Sequence, residues 1–362
     1  MTFLSVILAA MGFIILVVLH ELGHFAVAKM VGMRVEKFSL FFPPTLFSRT
    51  RGETEYAIGL IPAGGYVKIT GMNPDEELPE DVRDRAYHAQ KPWKRIAVIL
   101  AGPGVNIVVA FVLLFSFFWL IGGETQTDRV GTIEKGYPAA TVLEPGDTLV
   151  SVDNKVGEPV VLSKQISTHK CAKADQGDGC KAATPANLVV DRDGTLLPIS
   201  VRPIYDKVAK RNRIGFGYAA GPRETLSFGK AFTTSLDRFW LVTKTTVSLP
   251  ARIFNAEERK QISGIVGTYE VTRQTILTNI ADVVAILALI SLSLAIVNLF
   301  PFLPLDGGHI FWAVVEKLRG KPVPLAVMER SGVIGFMLVI ALFAIGLTND
   351  IGRLTGEGFQ VR

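Results

Sequence analysis

Residues 3–24 read FLSVILAAMGFIILVVLHELGH, an apolar run that ends in two histidines and a glutamate. The run is long enough to cross the hydrocarbon core of a bilayer, about 30 Å thick, which takes roughly 20 helical residues. A secretory signal is the alternative, but the run has no basic leading segment and no clear small-residue cleavage site. We therefore predict a transmembrane helix over about residues 2–27.

The composition of the chain indicates a membrane protein with substantial water-exposed parts. Of its 362 residues, 49% are hydrophobic and only 20% are charged, and the mean hydropathy is +0.36. Three more segments are apolar enough to span a bilayer, at about 96–121, 280–301 and 331–347. The predicted fold class is a multi-pass α-helical membrane protein with four transmembrane helices, an N-terminal membrane part (1–121), a C-terminal membrane part (280–348) and a tail (349–362).

Basic residues predict the orientation of these spans. The loop between the first and second spans carries eleven Lys and Arg, and that between the third and fourth carries four. Because basic loops stay cytoplasmic, the N-terminus and the long stretch 122–279 are expected outside the cytoplasm. Attraction to anionic lipid accounts for the net charge of +5, and no nucleic-acid partner is expected.

Three regions outside the spans have their own patterns. TEYAIGLIPAGGYVKITG, within about 53–71, alternates in polarity between glycines and predicts a membrane-associated β-hairpin, or a bent strand, on the cytoplasmic side. Residues 126–203 contain short β-type runs and predict a small, mostly β or α+β domain. Residues 204–279 combine apolar and basic residues as in an amphipathic helix on the membrane surface or against the spans.

The two cysteines, Cys171 and Cys180, lie in HKCAKADQGDGCK within the predicted external stretch. An oxidising compartment would permit a disulfide between them, and two free thiols in a loop remain the alternative.

His20, Glu21 and His24 are the first candidates for chemistry. Residues four apart on a helix share one face, so both imidazoles can reach one metal ion, and Glu21 beside them can act as a general base. The alternative is that the histidines merely cap the helix at the interface. Ionisable residues at membrane depth are functional candidates because they are costly there.

A catalytic zinc site needs a third protein ligand. The best candidate is Asp306 in NLFPFLPLDGGHIF, because the first and third spans both descend to the cytoplasmic side and the prolines and glycines there break the helix. An ordinary Asp-Gly turn is the alternative. His309 is the second candidate, as a ligand or as a neighbour of the ligands.

Four motifs together resemble the site-2 proteases, which are intramembrane zinc metalloproteases. They are HELGH, EYAIGLIPAGGYVKITG, RIAVILAGPGVN and NLFPFLPLDGGH, in this order. The chain is similar to the bacterial branch that carries PDZ domains, the regulator of sigma-E protease type. The resemblance implies Zn²⁺ held by His20, His24 and Asp306, with Glu21 as catalytic base.

The same resemblance implies how a substrate is held. It assigns substrate binding to Asn298 and to the hairpin, here Gly59, Leu60, Gly64, Gly65 and Tyr66, which would offer an edge strand; a purely structural plug is the alternative. Asn106, in the GPGVN segment, is implied near the substrate or the outer shell of the metal, and close helix packing explains it equally well.

YPAATVLEPGDTLVSVDNK resembles the second half of a PDZ domain, and CAKADQGDGCK looks like an insertion before its groove-lining helix. We expect an endopeptidase of a bacterial inner (plasma) membrane that cleaves single-pass transmembrane proteins, such as an anti-sigma factor or a signal-peptide remnant. A metal-ion transporter and an inactive PDZ scaffold are the rival hypotheses. The sequence does not indicate an oligomeric state.

Overall fold

The computed structural model describes residues 2–355 apart from 74–75, 172–176, 208, 261 and 322. The chain divides into two compact units. The membrane unit consists of Met1–Leu120 and Leu226–Arg362, and the sheet unit consists of Ile121–Thr225.

The helices of the described residues are numbered along the whole chain. They are α1 (Thr2–Met30), α2 (Glu80–Arg83), α3 (Pro92–Ser116), α4 (Pro159–Ser167), α5 (Phe228–Val247), α6 (Leu249–Arg252), α7 (Ala256–Arg259), α8 (Ile265–Thr278), α9 (Val283–Asn298), α10 (Asp306–Arg319) and α11 (Leu325–Thr355). The strands are β1 (Val35–Arg51), β2 (Thr54–Ile69), β3 (Gly123–Ile133), β4 (Thr148–Val152), β5 (Ala186–Arg192), β6 (Thr195–Val201), β7 (Ile204–Asp206), β8 (Arg211–Arg213) and β9 (Phe216–Glu224).

Four helices of the described residues are long and apolar enough to cross a membrane. Their apolar segments are Leu4–Met30, Pro92–Ile121, Ile280–Asn298 and Ala326–Thr355. The second includes a π-helical turn after α3, and the third includes a 3₁₀ turn before α9. The prediction of four membrane helices is thus confirmed as four candidate spans. The third span ends before the expected residue 301, because Pro301 disfavours helical backbone in the residue before it.

The last helix is longer at both ends than the expected 331–347. Its C-terminal extension includes Asp350, which is fully buried and accepts hydrogen bonds from the Ser263 hydroxyl (2.9 Å) and the Gly264 and Gly267 amides (2.9 and 2.7 Å). A carboxylate satisfied in this way can lie inside a helix end that a hydropathy window excludes. The helix therefore continues into the expected tail as far as Thr355.

Strands β1 and β2 form a long bent hairpin between α1 and α3. Residues 37–40 pair on one side with 65–68 and on the other with 55–58, while 47–51 pair with 54–58. The hairpin is thus a small sheet of four segments in which 65–69 lies at one edge. The end of the hairpin at which Val35 pairs with Ile69 packs on α1 and α3, in a core that also contains Val98.

An ion pair fixes α10 against α3. Arg95 at the start of α3 is 7% exposed, and its guanidinium lies 2.8 Å from the carboxylate of Glu316 on α10. Because Asp306 is the first residue of α10, this pair also restrains the position of Asp306 relative to α3.

The sheet unit contains a five-stranded sheet in the order β6-β5-β4-β3-β9. Its core includes Leu149, Leu188 and Val190 from the sheet and Leu162 and Ile166 from α4. The expected domain 126–203 lies within this unit. Strands β7, β8 and β9 fall in the region 204–279, where an amphipathic helix was expected. Strand β9 leaves no local signal because it pairs with the distant β3.

Cys171 and Cys180 in the sheet unit have Cα atoms 6.0 Å apart and their sulfur atoms are joined in a disulfide. The intervening residues 172–176 of the expected insertion lie outside the described residues.

Asp147, in the turn before β4, is expected to make the folding stability of the sheet unit depend on pH. It is 2% exposed, and hydrogen bonds from Arg192 (2.7 and 2.8 Å) hold the pKa of its carboxyl below the ordinary value of 3.8. A lowered folded-state pKa contributes stability that is present above the unfolded value and is lost as pH falls through the folded value. Hydrogen exchange of residues 144–152, corrected for intrinsic rates, should therefore show full protection at pH 7 and lower protection near pH 2.

The matched variant is Arg192→Met, which removes the donor. We expect weaker protection of the same segment at pH 7 and a smaller change with pH. An identical pH profile in the variant and the wild type would show that Arg192 does not set the behaviour of Asp147.

Candidate metal centre

Helix α1 places His20, Glu21 and His24 on adjoining faces near its C-terminal end. Both imidazoles are buried, with 6% and 8% exposure for the two residues, and their Nε2 atoms are 3.2 Å apart. The four-residue spacing on a helix produces this meeting of the rings.

Asp306 reaches the two rings from α10. The chain leaves α9 at Asn298, and Pro301 and Pro304 prevent it from continuing as a helix. The turn is tight: a Cβ on Gly307 would overlap the carbonyl oxygens of residues 299 and 300, and one on Gly308 would lie 2.5 Å from the backbone nitrogen of residue 303. This turn brings Asp306 Oδ2 to 3.2 Å from His20 Nε2 and 3.4 Å from His24 Nε2.

The three atoms fit a tetrahedral zinc ion. Ligands bonded at 2.0–2.1 Å in a tetrahedron lie about 3.3 Å from one another. The separations of 3.2, 3.2 and 3.4 Å match that value. Asp306 Oδ2 is also buried without an aligned hydrogen-bond donor among the described residues, which is expected of an acceptor atom that serves as a ligand.

The His24 ring is held in the tautomer that a metal ligand needs. Its Nδ1 lies 2.8 Å from the carbonyl oxygen of Val98 on α3. Since a carbonyl only accepts, Nδ1 carries the proton and donates it, which leaves the Nε2 lone pair free. Gly102 makes room for this ring, because a Cβ there would lie 2.6 Å from its Cε1.

The three candidate ligands and Glu21 line one cavity of about 440 Å³. Of the other candidate site residues, it is also lined by Gly64, Gly65, Tyr66, Asn298 and His309. The edge segment of the hairpin thus faces the metal site. Its backbone passes close to Glu21, since a Cβ on Gly65 would lie 2.9 Å from Glu21 Cγ.

Two predicted substrate residues lie away from this cavity. Gly59 pairs with Thr45 and continues the segment 55–58, which lies on the other side of 37–40 from 65–68, and Leu60 is 55% exposed. Neither lines the cavity, because the strand 37–40 separates their segment from 65–68.

Asn106 lies behind the centre on α3. It is fully buried, and its Nδ2 is placed 3.4 Å from His20 Nδ1. His309 lines the cavity three residues after Asp306, and the third atom grouped with the two Nε2 atoms comes from Asp306 rather than from His309.

Sequence reasoning did not identify several residues of this site. Phe42 of β1 lines the cavity and stacks on Tyr66 with ring centroids 6.0 Å apart. Val98 contributes through its backbone, which leaves no side-chain signal. Gly102 was expected only as part of the GPGVN segment, where small residues allow close helix packing, and its contact with His24 was not predicted.

Two histidines and a glutamate on the first candidate membrane span, with an aspartate from α10, are the groups expected of an intramembrane zinc metalloprotease, whose cofactor is zinc. The chain belongs to peptidase family M50, whose family model matches residues 8–342.

Curated relatives resemble this chain over nearly its full length. The zinc metalloprotease Rip1 of Mycobacterium tuberculosis strain H37Rv is 31% identical, over 96% of this chain and 97% of that protein. A candidate zinc metalloprotease of Brucella suis is 29% identical over 93% and 92% of the two chains. A further candidate zinc metalloprotease, from Clostridium acetobutylicum, is 29% identical over 97% and 98%. These matches agree with the predicted family, enzyme class and cofactor, and with an inner-membrane protein that acts on substrates in the bilayer.

Proposed function

We propose that this protein is an endopeptidase that cleaves the transmembrane segment of single-pass membrane proteins. The observation that carries the proposal is that one cavity combines the His20, His24 and Asp306 cluster, the Glu21 carboxylate and a sheet edge that is unpaired among the described residues. In this assignment His20, His24 and Asp306 hold the zinc ion, and Glu21 is the catalytic base.

Bound zinc supplies Lewis-acid polarisation of the scissile carbonyl and makes the attacking water more acidic. Glu21 takes a proton from that water as its oxygen adds to the carbonyl carbon. The same carboxyl then donates the proton to the leaving amide nitrogen as the C–N bond breaks. The Gly65 backbone packed against Glu21 limits where this carboxylate can swing.

A helical substrate must unwind before it can react, because its own hydrogen bonds shield the peptide bond. Unwinding leaves backbone groups unsatisfied in an apolar setting, at a cost of several kcal/mol each. The segment 65–68 pairs with β1 on one side only, among the residues described, so its other edge can add a substrate strand. Asn298, which lines the cavity at the end of α9, offers a side-chain amide to the same unwound segment.

The sheet unit is proposed as a PDZ-like domain outside the cytoplasm that screens substrates by size. Supporting features are the strand and helix content of Ile121–Thr225 and the basic loops that favour a cytoplasmic side for the hairpin. Substrates already shortened by another protease, such as an anti-sigma factor or a signal-peptide remnant, fit this arrangement.

Metal removal tests the proposed chemistry. Treatment of the protein in proteoliposomes with a zinc chelator should abolish cleavage of a single-pass reporter, and added Zn²⁺ should restore it. Cleavage that persists after zinc has been shown to be absent would contradict the proposal. Zinc flux into the vesicles, measured in parallel, would instead support a transporter.

A further inference from the structure

One face of α3 forms the wall behind the two histidines. Val98, Gly102 and Asn106 follow one another at four-residue spacing, so they lie along one stripe of the helix. The carbonyl oxygen of Val98 holds the His24 ring, and Gly102 leaves space for that ring. Asn106 lies beside the imidazole of His20.

The chemistry of His20 determines what Asn106 must supply. If His20 Nε2 is a metal ligand, as in the proposed function on which this inference rests, its lone pair must be free. The proton of the neutral ring is then on Nδ1, and a buried N–H needs an acceptor. Asn106 is the residue whose side chain is found at Nδ1.

In the structure the Asn106 amide has the opposite orientation, with its nitrogen rather than its oxygen toward His20. Its Nδ2 is turned toward His20 Nδ1 at 3.4 Å, which is long for a hydrogen bond, while its Oδ1 is buried without a hydrogen-bond partner among the described residues. The oxygen and nitrogen of an amide occupy nearly the same positions, and the hydrogen-bond network decides between them. Rotation by 180° about the terminal bond puts the unsatisfied Oδ1 where His20 needs an acceptor.

We propose that Asn106 is a positioning residue of the metal centre, whose side-chain oxygen accepts the Nδ1 proton of His20 and so presents Nε2 to zinc. The role parallels that of the Val98 carbonyl at His24. Helix α3 thereby sets the tautomer of both histidine ligands.

The surroundings of Asn106 hold it in place for this role. The residue is fully buried, and the hydroxyl of Ser291 on α9 donates to its backbone oxygen at 2.9 Å. Ser291 is itself fully buried. The contact ties the helix backbone at this point without using the Asn106 side chain.

Zinc affinity of the purified full-length protein, measured by chelator competition, tests the proposal. Asn106→Leu keeps the size but removes the acceptor, and should weaken zinc binding about 10- to 100-fold, the usual effect of losing such a partner. Asn106→Asp supplies a carboxylate acceptor and should keep the affinity near that of the wild type. If Asn106 served packing alone, zinc affinity would be higher in Asn106→Leu than in Asn106→Asp, since a leucine is tolerated there and a buried carboxylate is costly.

The controls separate this inference from the proposed function. Ser291→Ala, which disturbs the same backbone but no acceptor, should leave zinc affinity unchanged. If Asn106→Leu does not fold, Asn106→Ala replaces it and the same loss is expected. Wild-type affinity in the variant that lacks the acceptor, or weak binding in Asn106→Asp, overturns the inference. Full zinc binding by His20→Ala would instead overturn the proposed ligand set.

Discussion

Replacement of Glu21 by glutamine should abolish cleavage while zinc remains bound. The amide keeps the size of the carboxylate but cannot take a proton from water, and general acid–base catalysis contributes about 10²- to 10⁴-fold to rate. The cluster of His20, His24 and Asp306 does not include Glu21, so zinc content should stay at the wild-type value. The measurements are cleavage of a single-pass reporter in proteoliposomes and zinc per protein.

The control for this variant is Glu53→Gln. Glu53 is in the hairpin turn, paired with Lys29 and Arg85, and does not line the cavity. This change removes one carboxylate in the same way and should leave the cleavage rate close to that of the wild type. Undiminished cleavage by Glu21→Gln would rule out Glu21 as the base.

A single methyl group on α3 should remove the metal. In Gly102→Ala the new Cβ would overlap the His24 ring, lying 2.6 Å from Cε1 and still closer to Nε2. Because Cβ is fixed to the backbone, the ring must move out of the position that places Nε2 beside His20 and Asp306. We expect loss of zinc and of cleavage together, which distinguishes this variant from Glu21→Gln.

Gly104→Ala is a matched control on the same helix. A Cβ at this position meets no atom within 4 Å. Both substitutions raise helix propensity by about 1 kcal/mol, so propensity cannot explain a difference between them. Equal zinc content in the two variants would contradict the described packing of His24 on α3.

The parts of the site that follow from local rules could be predicted from the sequence. Helical spacing brings His20 and His24 to one face, and apolar length identifies the spans. Asp306 needed topology as well, because only the common direction of the first and third spans places it at the same depth. The role of Asp306 as a ligand remains a prediction until the metal is measured.

The rest depends on contacts between distant segments. Strand β1 was not expected, since FFPP at 41–44 breaks its alternation and its pairing with two parts of β2 is visible only in the folded chain. The carbonyl of Val98 has no sequence signature. Likewise, β9 joins the sheet unit through β3, about ninety residues earlier in the chain.

The hairpin shows how these distant contacts affect the proposed substrate path. The glycines that suggested an edge strand divide into two groups: Gly64 and Gly65 face the cavity, and Gly59 does not. Close approach accounts for the difference, because Gly65 lies against Glu21 whereas Gly59 lies against the backbone of β1. Substrate contacts are therefore proposed for the segment 64–69 rather than for the whole hairpin.

The most direct test of the central claim is the position of the cleaved bond. A purified single-pass reporter can be incubated with the full-length protein in proteoliposomes, and the products identified by mass spectrometry, with Glu21→Gln as the inactive control. We predict a zinc-dependent cut at a peptide bond within the transmembrane segment of the reporter. A cut only in its water-exposed flanks, or an identical cut with the control, would contradict the account.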